Sequence, residues 1–82
     1  MPPYYLYILK CADTSLYTGI TTDIKRRLQE HNGTKEGAKY TAARQPVELV
    51  YKKKFSNRST ASIEESRIKK LTRLEKLMLL KQ

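Results

Sequence analysis

The chain has 82 residues and a mass of 9.6 kDa, with 17 Lys and Arg against 8 Asp and Glu for a net charge of +9. A chain this short forms one domain, residues 1–82, burying only about 60% of its unfolded surface, which excludes a separate cofactor module. A hydrophobic fraction of 39% excludes a disordered chain, and no apolar run approaches the roughly 20 residues of a membrane-spanning helix.

Met1-Pro2-Pro3-Tyr4 shows neither the charged nor the apolar region of a signal peptide. Cys11 is the only cysteine, so it has no internal disulfide partner and no Cys or His at ligand spacing. The expectation is a soluble, cytoplasmic monomer with no membrane partner.

Tyr4 to Lys10 is dense in Tyr, Leu and Ile at both parities, the mark of a strand covered on both faces. Leu16 to Thr21 reads as a second strand, joined to the first as a hairpin through Ala12-Asp13-Thr14-Ser15. If that loop runs from Cys11 to Ser15, Leu9 faces Tyr17, and Tyr7 becomes its diagonal neighbour on the same face. Thr21-Thr22-Asp23 offers N-cap oxygens for a helix over Ile24 to His31, which Asn32-Gly33 stops. Thr34 to Gln45 is polar and irregular, a loop with a turn of helix. Pro46 opens a third strand with Val47, Leu49, Tyr51 and Lys53 on one face and Glu48, Val50 and Lys52 on the other. Asn57 to Ser59 is a cap for a helix running from Thr60 into the seventies, with Ile68, Leu71 and Leu74 on its apolar side. Glu75 to Leu80 is either its continuation or a short final helix. The order predicts an α+β domain with a three-stranded, mostly antiparallel sheet flanked by helices.

Five side chains are candidates for chemistry. Tyr7 and Tyr17 suit a pleated surface, so packing alone accounts for them, but the neighbouring Gly19 weakens its strand and marks a bulge or a close approach of another backbone or a ligand. Arg27 and His31 stand four residues apart and share the core-facing arc with Ile24 and Leu28, whereas Lys25, Arg26 and Gln29 point away. Arg offers a fork that fits phosphate, and His moves protons near neutral pH; a buried arginine stem and a structural histidine are the alternative. Glu65 lies beside the apolar side of its helix, either as an ion-pair partner of Lys69 or as a ligand for a hard cation.

Residues 52–82 hold ten Lys and Arg against three Glu, a net of +7, whereas residues 1–51 carry only +2. That asymmetry points to a polyanion, nucleic acid before a membrane surface, with Lys52, Lys53, Lys54, Arg67, Lys69, Lys70 and Arg73 as contacts. A basic face that serves solubility alone is the rival.

Tyr5-Leu6-Tyr7, ten residues on to Tyr17-Thr18-Gly19, then Arg27, His31 and Glu65, is a set that resembles the GIY-YIG nuclease superfamily. The small stand-alone bacterial GIY-YIG proteins of unassigned role share the run Tyr-Thr-Gly-Ile-Thr-Thr-Asp found at residues 17–23. The resemblance covers about Tyr4 to Leu77. It implies the same three-stranded fold, with Tyr7 and Tyr17 as motif tyrosines, Arg27 and His31 as helix residues, and Glu65 as the ligand of one Mg²⁺ or Mn²⁺ ion. The implied function is metal-dependent, shape-selective cleavage of nucleic acid, DNA favoured over RNA. Three features depart from the pattern: Tyr-Leu-Tyr replaces Gly-Ile-Tyr, no Asn follows Glu65, and no DNA-binding module is attached. These departures favour the alternatives, a basic nucleic-acid-binding module with little or no cleavage, or a subunit that acts with a protein partner.

Overall fold

The computed structural model describes residues 2–33 and 39–81. Strands β1 (Tyr4–Lys10) and β2 (Leu16–Thr21) lead into helices α1 (Ile24–Asn32) and α2 (Lys39–Ala42); strand β3 (Glu48–Phe55) precedes α3 (Arg58–Lys69) and α4 (Arg73–Leu80). The strands form one sheet in the order β2-β1-β3, with both pairs antiparallel. The expected α+β architecture is therefore present.

The central place of β1 follows from its sequence. Leu6, Tyr7, Ile8 and Leu9 are all buried, so both faces of the strand carry apolar side chains. Leu6 and Ile8 pack against Ile68 of α3, with Leu71, Leu79 and Leu80 closing that side. Tyr7 and Leu9 point the other way, into a smaller cluster with Cys11 and Val47 bordered by Leu28 of α1. Lys10 pairs with Leu16 and Leu9 with Tyr17, so the hairpin loop is Cys11 to Ser15. Asp13 holds the loop by accepting from the Ser15 N–H at 3.0 Å and by an ion pair with Arg44 at 2.9 Å.

Asp23 caps α1 by accepting from the Arg26 N–H at 3.0 Å. At its other end Asn32 donates to and accepts from the Val47 backbone, at 3.1 and 2.8 Å. Gln45 adds a hydrogen bond to the His31 carbonyl at 2.8 Å. These bonds fasten the last turn of α1, and His31 with it, to the start of β3.

Three local expectations are corrected. The third strand begins at Glu48, and a bulge between its pairings with Ile8 and Leu9 reverses the alternation. Tyr51 therefore joins Val50 on the α3 face, while Val47 and Leu49 stay on the α1 face. Of the two readings of the C-terminal segment, the separate final helix holds, because Thr72 and Glu75 form a reciprocal capping box that starts α4 afresh. That break turns Leu74 outward, 69% exposed, instead of leaving it in line with Ile68 and Leu71. Part of the expected loop, residues 34–38, lies outside the described residues; its turn of helix is α2.

Candidate active site

Strand register brings the two tyrosines to one face. Tyr7 pairs with Gly19, and Tyr17 lies diagonally across, their ring centroids 6.4 Å apart. Gly19 is where β2 has to lack a side chain. A Cβ there would meet the Tyr7 hydroxyl oxygen at 2.5 Å and its ring carbon Cζ at 2.7 Å. The glycine thus lets the Tyr7 ring lie across the edge strand.

Helix α1 supplies the groups that the phenol meets. Its period places His31 over both rings, with centroids 5.8 Å from Tyr7 and 5.0 Å from Tyr17. His31 Nε2 lies 2.9 Å from the Tyr7 hydroxyl, and Nδ1 lies 2.8 Å from Thr41 Oγ1. All three side chains are buried: Tyr7 is 3% exposed, His31 1% and Thr41 0%. Arg27, one turn earlier, donates a side-chain hydrogen bond to Tyr7 and another to Glu30 at 2.8 Å.

Burial sets the protonation states. Desolvation raises the Tyr7 phenol to about 12, despite the opposing hydrogen bond from Arg27; the charges of Tyr17 and Glu65 push it further up. Burial and the Arg27 charge lower His31 from its ordinary value, so the imidazole is neutral at pH 7. The hydrogen bond to Glu30 holds Arg27 in its charged form.

Glu65 comes from the other side of the sheet, on α3, one turn before Ile68. Its side chain is 22% exposed, and Oε2 lies 3.2 Å from Lys69 Nζ. Its charge reaches Tyr7. Tyr7, Tyr17, Arg27 and His31 therefore form one cluster, and Glu65 stands within electrostatic range of it.

Residues 3–78 match the GIY-YIG catalytic domain. The chain belongs to the GIY-YIG family. A UPF0213 protein of Syntrophus aciditrophicus is 51% identical over 82 residues, covering 100% of this chain and 94% of the relative. One from Oceanobacillus iheyensis is 56% identical over 77 residues, 94% of this chain and 88% of the relative. The solution NMR structure of a UPF0213 protein from Bacillus halodurans matches with a TM-score of 0.63 at 42% identity, covering 96% of this chain and 83% of that one. Nucleases of the GIY-YIG family generally bind nucleic acid and depend on a divalent metal.

Glu65 is the residue of this site that could hold a divalent cation. Among the described residues no three His, Cys, Asp or Glu side chains gather as a ligand set. A single half-buried carboxylate at Glu65 matches the way Mg²⁺ is held, by one or two carboxylates with water and substrate phosphate. The Lys69 partner is 54% exposed, so the ion pair is weak.

The basic candidates do not form one surface. Register places Lys52 and Lys54 opposite Tyr7 and Tyr5 on the α1 face and Lys53 on the other, its ammonium 5.5 Å from the Phe55 ring. Arg67 makes a two-pronged bond to Glu64 at 2.6 and 2.8 Å, Lys69 pairs with Glu65, and Arg73 donates to the Thr14 carbonyl at 2.9 Å. Lys70, exposed, ends α3 as its C-cap. No helix among the described residues is long and apolar enough to cross a membrane.

Thr41 is the site residue that sequence reasoning missed. It lies on a four-residue helix, too short to show an amphipathic period, within a stretch whose polarity reads as loop.

Proposed function

We propose that this chain is a metal-dependent endonuclease that hydrolyses nucleic-acid phosphodiester bonds and selects its substrate by shape, with DNA favoured over RNA. The observation that carries the reading is the buried Thr41–His31–Tyr7 chain, two hydrogen bonds of 2.8 and 2.9 Å that end on a phenol also bonded to Arg27. Packing alone requires no such linked set of polar groups, and burying them is costly unless each is satisfied.

The donors and acceptors fit one arrangement. Arg27 donates to the Tyr7 oxygen, Tyr7 donates its own proton to Nε2 of neutral His31, and Nδ1–H donates to Thr41. Tyr7 can then take a proton from the attacking water as it passes its own to His31. A phenol raised to about 12 is a poor free base, and concerted transfer to the imidazole avoids a discrete phenolate. The Nε2 contact supports a histidine acting behind Tyr7, which leaves half-buried Tyr17 to orient the phosphate. Arg27, charged and only 27% exposed, neutralises charge developing on the phosphate oxygens. Glu65 is the residue that would hold one Mg²⁺ or Mn²⁺, which when bound supplies polarisation of the phosphate and stabilisation of the leaving oxygen. Lys52 and Lys54, on the face of the two tyrosines, add sequence-tolerant phosphate contacts, with Lys53, Arg67, Lys69, Lys70 and Arg73 as further cationic positions.

The test is incubation of the purified monomer with branched DNA, plain duplex and RNA in Mg²⁺, Mn²⁺ or EDTA. Cleavage of branched DNA that requires a divalent ion is expected. Binding without cleavage on every substrate and metal would replace this reading with a basic binding module of the same fold.

A further inference from the structure

We propose that the groove between α1 and β3 is a subsite for one unpaired nucleotide of the strand being cut; the second half of that statement rests on the nuclease reading above. One helix covers the α1 face of a three-stranded sheet, and beside its first turns an open groove of about 600 Å³ remains. That size is within the roughly 300–1,000 Å³ of small-ligand sites. Its walls are apolar: Ile24 and Leu28 from α1, Leu49 from β3 and the half-buried ring of Tyr5 from β1. Its rim is cationic. Lys25 and Lys52 line it, both exposed, and among the described residues neither has an ion-pair partner. The one carboxylate on the lining, Asp23, is already engaged in accepting from the Arg26 N–H at 3.0 Å.

An apolar slot with an aromatic wall and a positive rim complements a ligand with a flat, weakly polar body and an attached anion. A nucleotide has that form: the base fits between Tyr5 and the aliphatic wall, and its phosphate meets the lysines. A base stacked in a duplex presents only its edges in the grooves, so it cannot enter; an unpaired base can. The groove also adjoins the reacting centre, because Lys52 is the strand partner of Tyr7. Shape selectivity then comes from the domain itself. Junctions, flaps and loops that offer a free base are held, and plain duplex is not.

The experiment is an amide-shift NMR titration of the wild-type chain in EDTA, where nothing is cut, with four probes: adenosine monophosphate, inorganic phosphate, a short single-stranded oligodeoxynucleotide, and its blunt duplex. The mononucleotide and the single strand should shift Ile24, Leu28, Leu49 and Lys52, while phosphate alone and the duplex leave Leu28 and Leu49 in place. The double variant Lys25→Glu, Lys52→Glu changes two exposed positions and keeps the fold, and should weaken single-strand binding by about tenfold or more. Shifts confined to other surfaces, equal shifts from duplex and single strand, or an unaffected double variant would each overturn the proposal. Groove shifts in a protein that cleaves nothing would keep the nucleotide site and remove the nuclease reading. Cleavage without groove shifts would do the reverse.

Discussion

The two faces of β1 are built from alternate residues of one short strand, yet they are made for different purposes. Toward α3, Leu6 and Ile8 meet Ile68 and a rim of Leu, Val and aromatic side chains, a closed apolar core. Toward α1, Tyr7 shares its burial with His31 and Thr41, and two hydrogen bonds run through the packing. One face is apolar packing, and the other holds linked polar groups in a fixed geometry. The difference teaches that a domain this small separates its tasks by strand parity rather than by subdomain.

Substituting one residue on each face is the sharpest way to break that comparison. Ile8→Ala should cost about 2–5 kcal/mol, read by chemical denaturation, with cleavage per folded molecule unchanged. Tyr7→Phe should cost only about 1 kcal/mol, because the ring stays and one hydrogen bond goes. Its cleavage rate should fall by about 10²–10⁴-fold, since the proton path is cut. Equal behaviour of the two variants would end the division of labour.

Gly19→Ala probes the boundary between the faces. Its Cβ would lie 2.5 Å from the Tyr7 hydroxyl, so the pinned ring has to shift and its bond to His31 is disturbed. Loss of cleavage close to that of Tyr7→Phe is expected, with the sheet intact by circular dichroism. Thr41→Val keeps shape but leaves the His31 Nδ1–H without its acceptor, at about 1–3 kcal/mol. Cleavage should fall less than for Tyr7→Phe and its pH profile should move, and Thr41→Ser should restore both. A structural role alone would leave the pH profile where it was.

The smallest effect is on pH dependence. His31 is held below its ordinary 6.5 by burial and by Arg27, with Glu30 opposing. A depressed folded value means that the unfolded chain binds the proton first. The stability that neutral His31 contributes is therefore present above pH 6.5 and is lost progressively as the pH falls toward the lower folded value. The acid limb of the cleavage profile should lie below pH 6.5 for the same reason, and His31→Gln should flatten the thermal-stability slope in that window.

Much of this was legible in the chain. Apolar residues at both parities marked β1 as central, and Gly19 signalled an irregular position, which is the space taken by the Tyr7 ring rather than a bulge; the loop length that sets Leu9 against Tyr17 was open between two and five residues. Periodicity put Arg27 and His31 on the inner arc of α1. The β3 bulge was not legible, because an extra residue in the strand leaves no compositional trace and Tyr51 suits either face. The start of α4 has a sequence signal, Thr72 followed three residues later by Glu75, which favours the separate final helix of the two readings. Thr41 had none. Its role depends on a contact with His31 ten residues away, made by a helix too short to carry a pattern.

The central claim, that these side chains form a metal-dependent nuclease site, is tested most directly by Glu65→Gln. This variant keeps size and polarity and removes the one carboxylate whose charge reaches Tyr7. The Lys69 pair that it breaks contributes only about 0.3–0.5 kcal/mol at such an exposed position, so the fold should stand. Cleavage of branched DNA in Mg²⁺ and binding of the same DNA in EDTA would be measured side by side for the variant and the wild type. The account predicts that cleavage collapses while binding persists or strengthens. Equal cleavage by the two proteins would contradict the assignment of Glu65 as the metal residue.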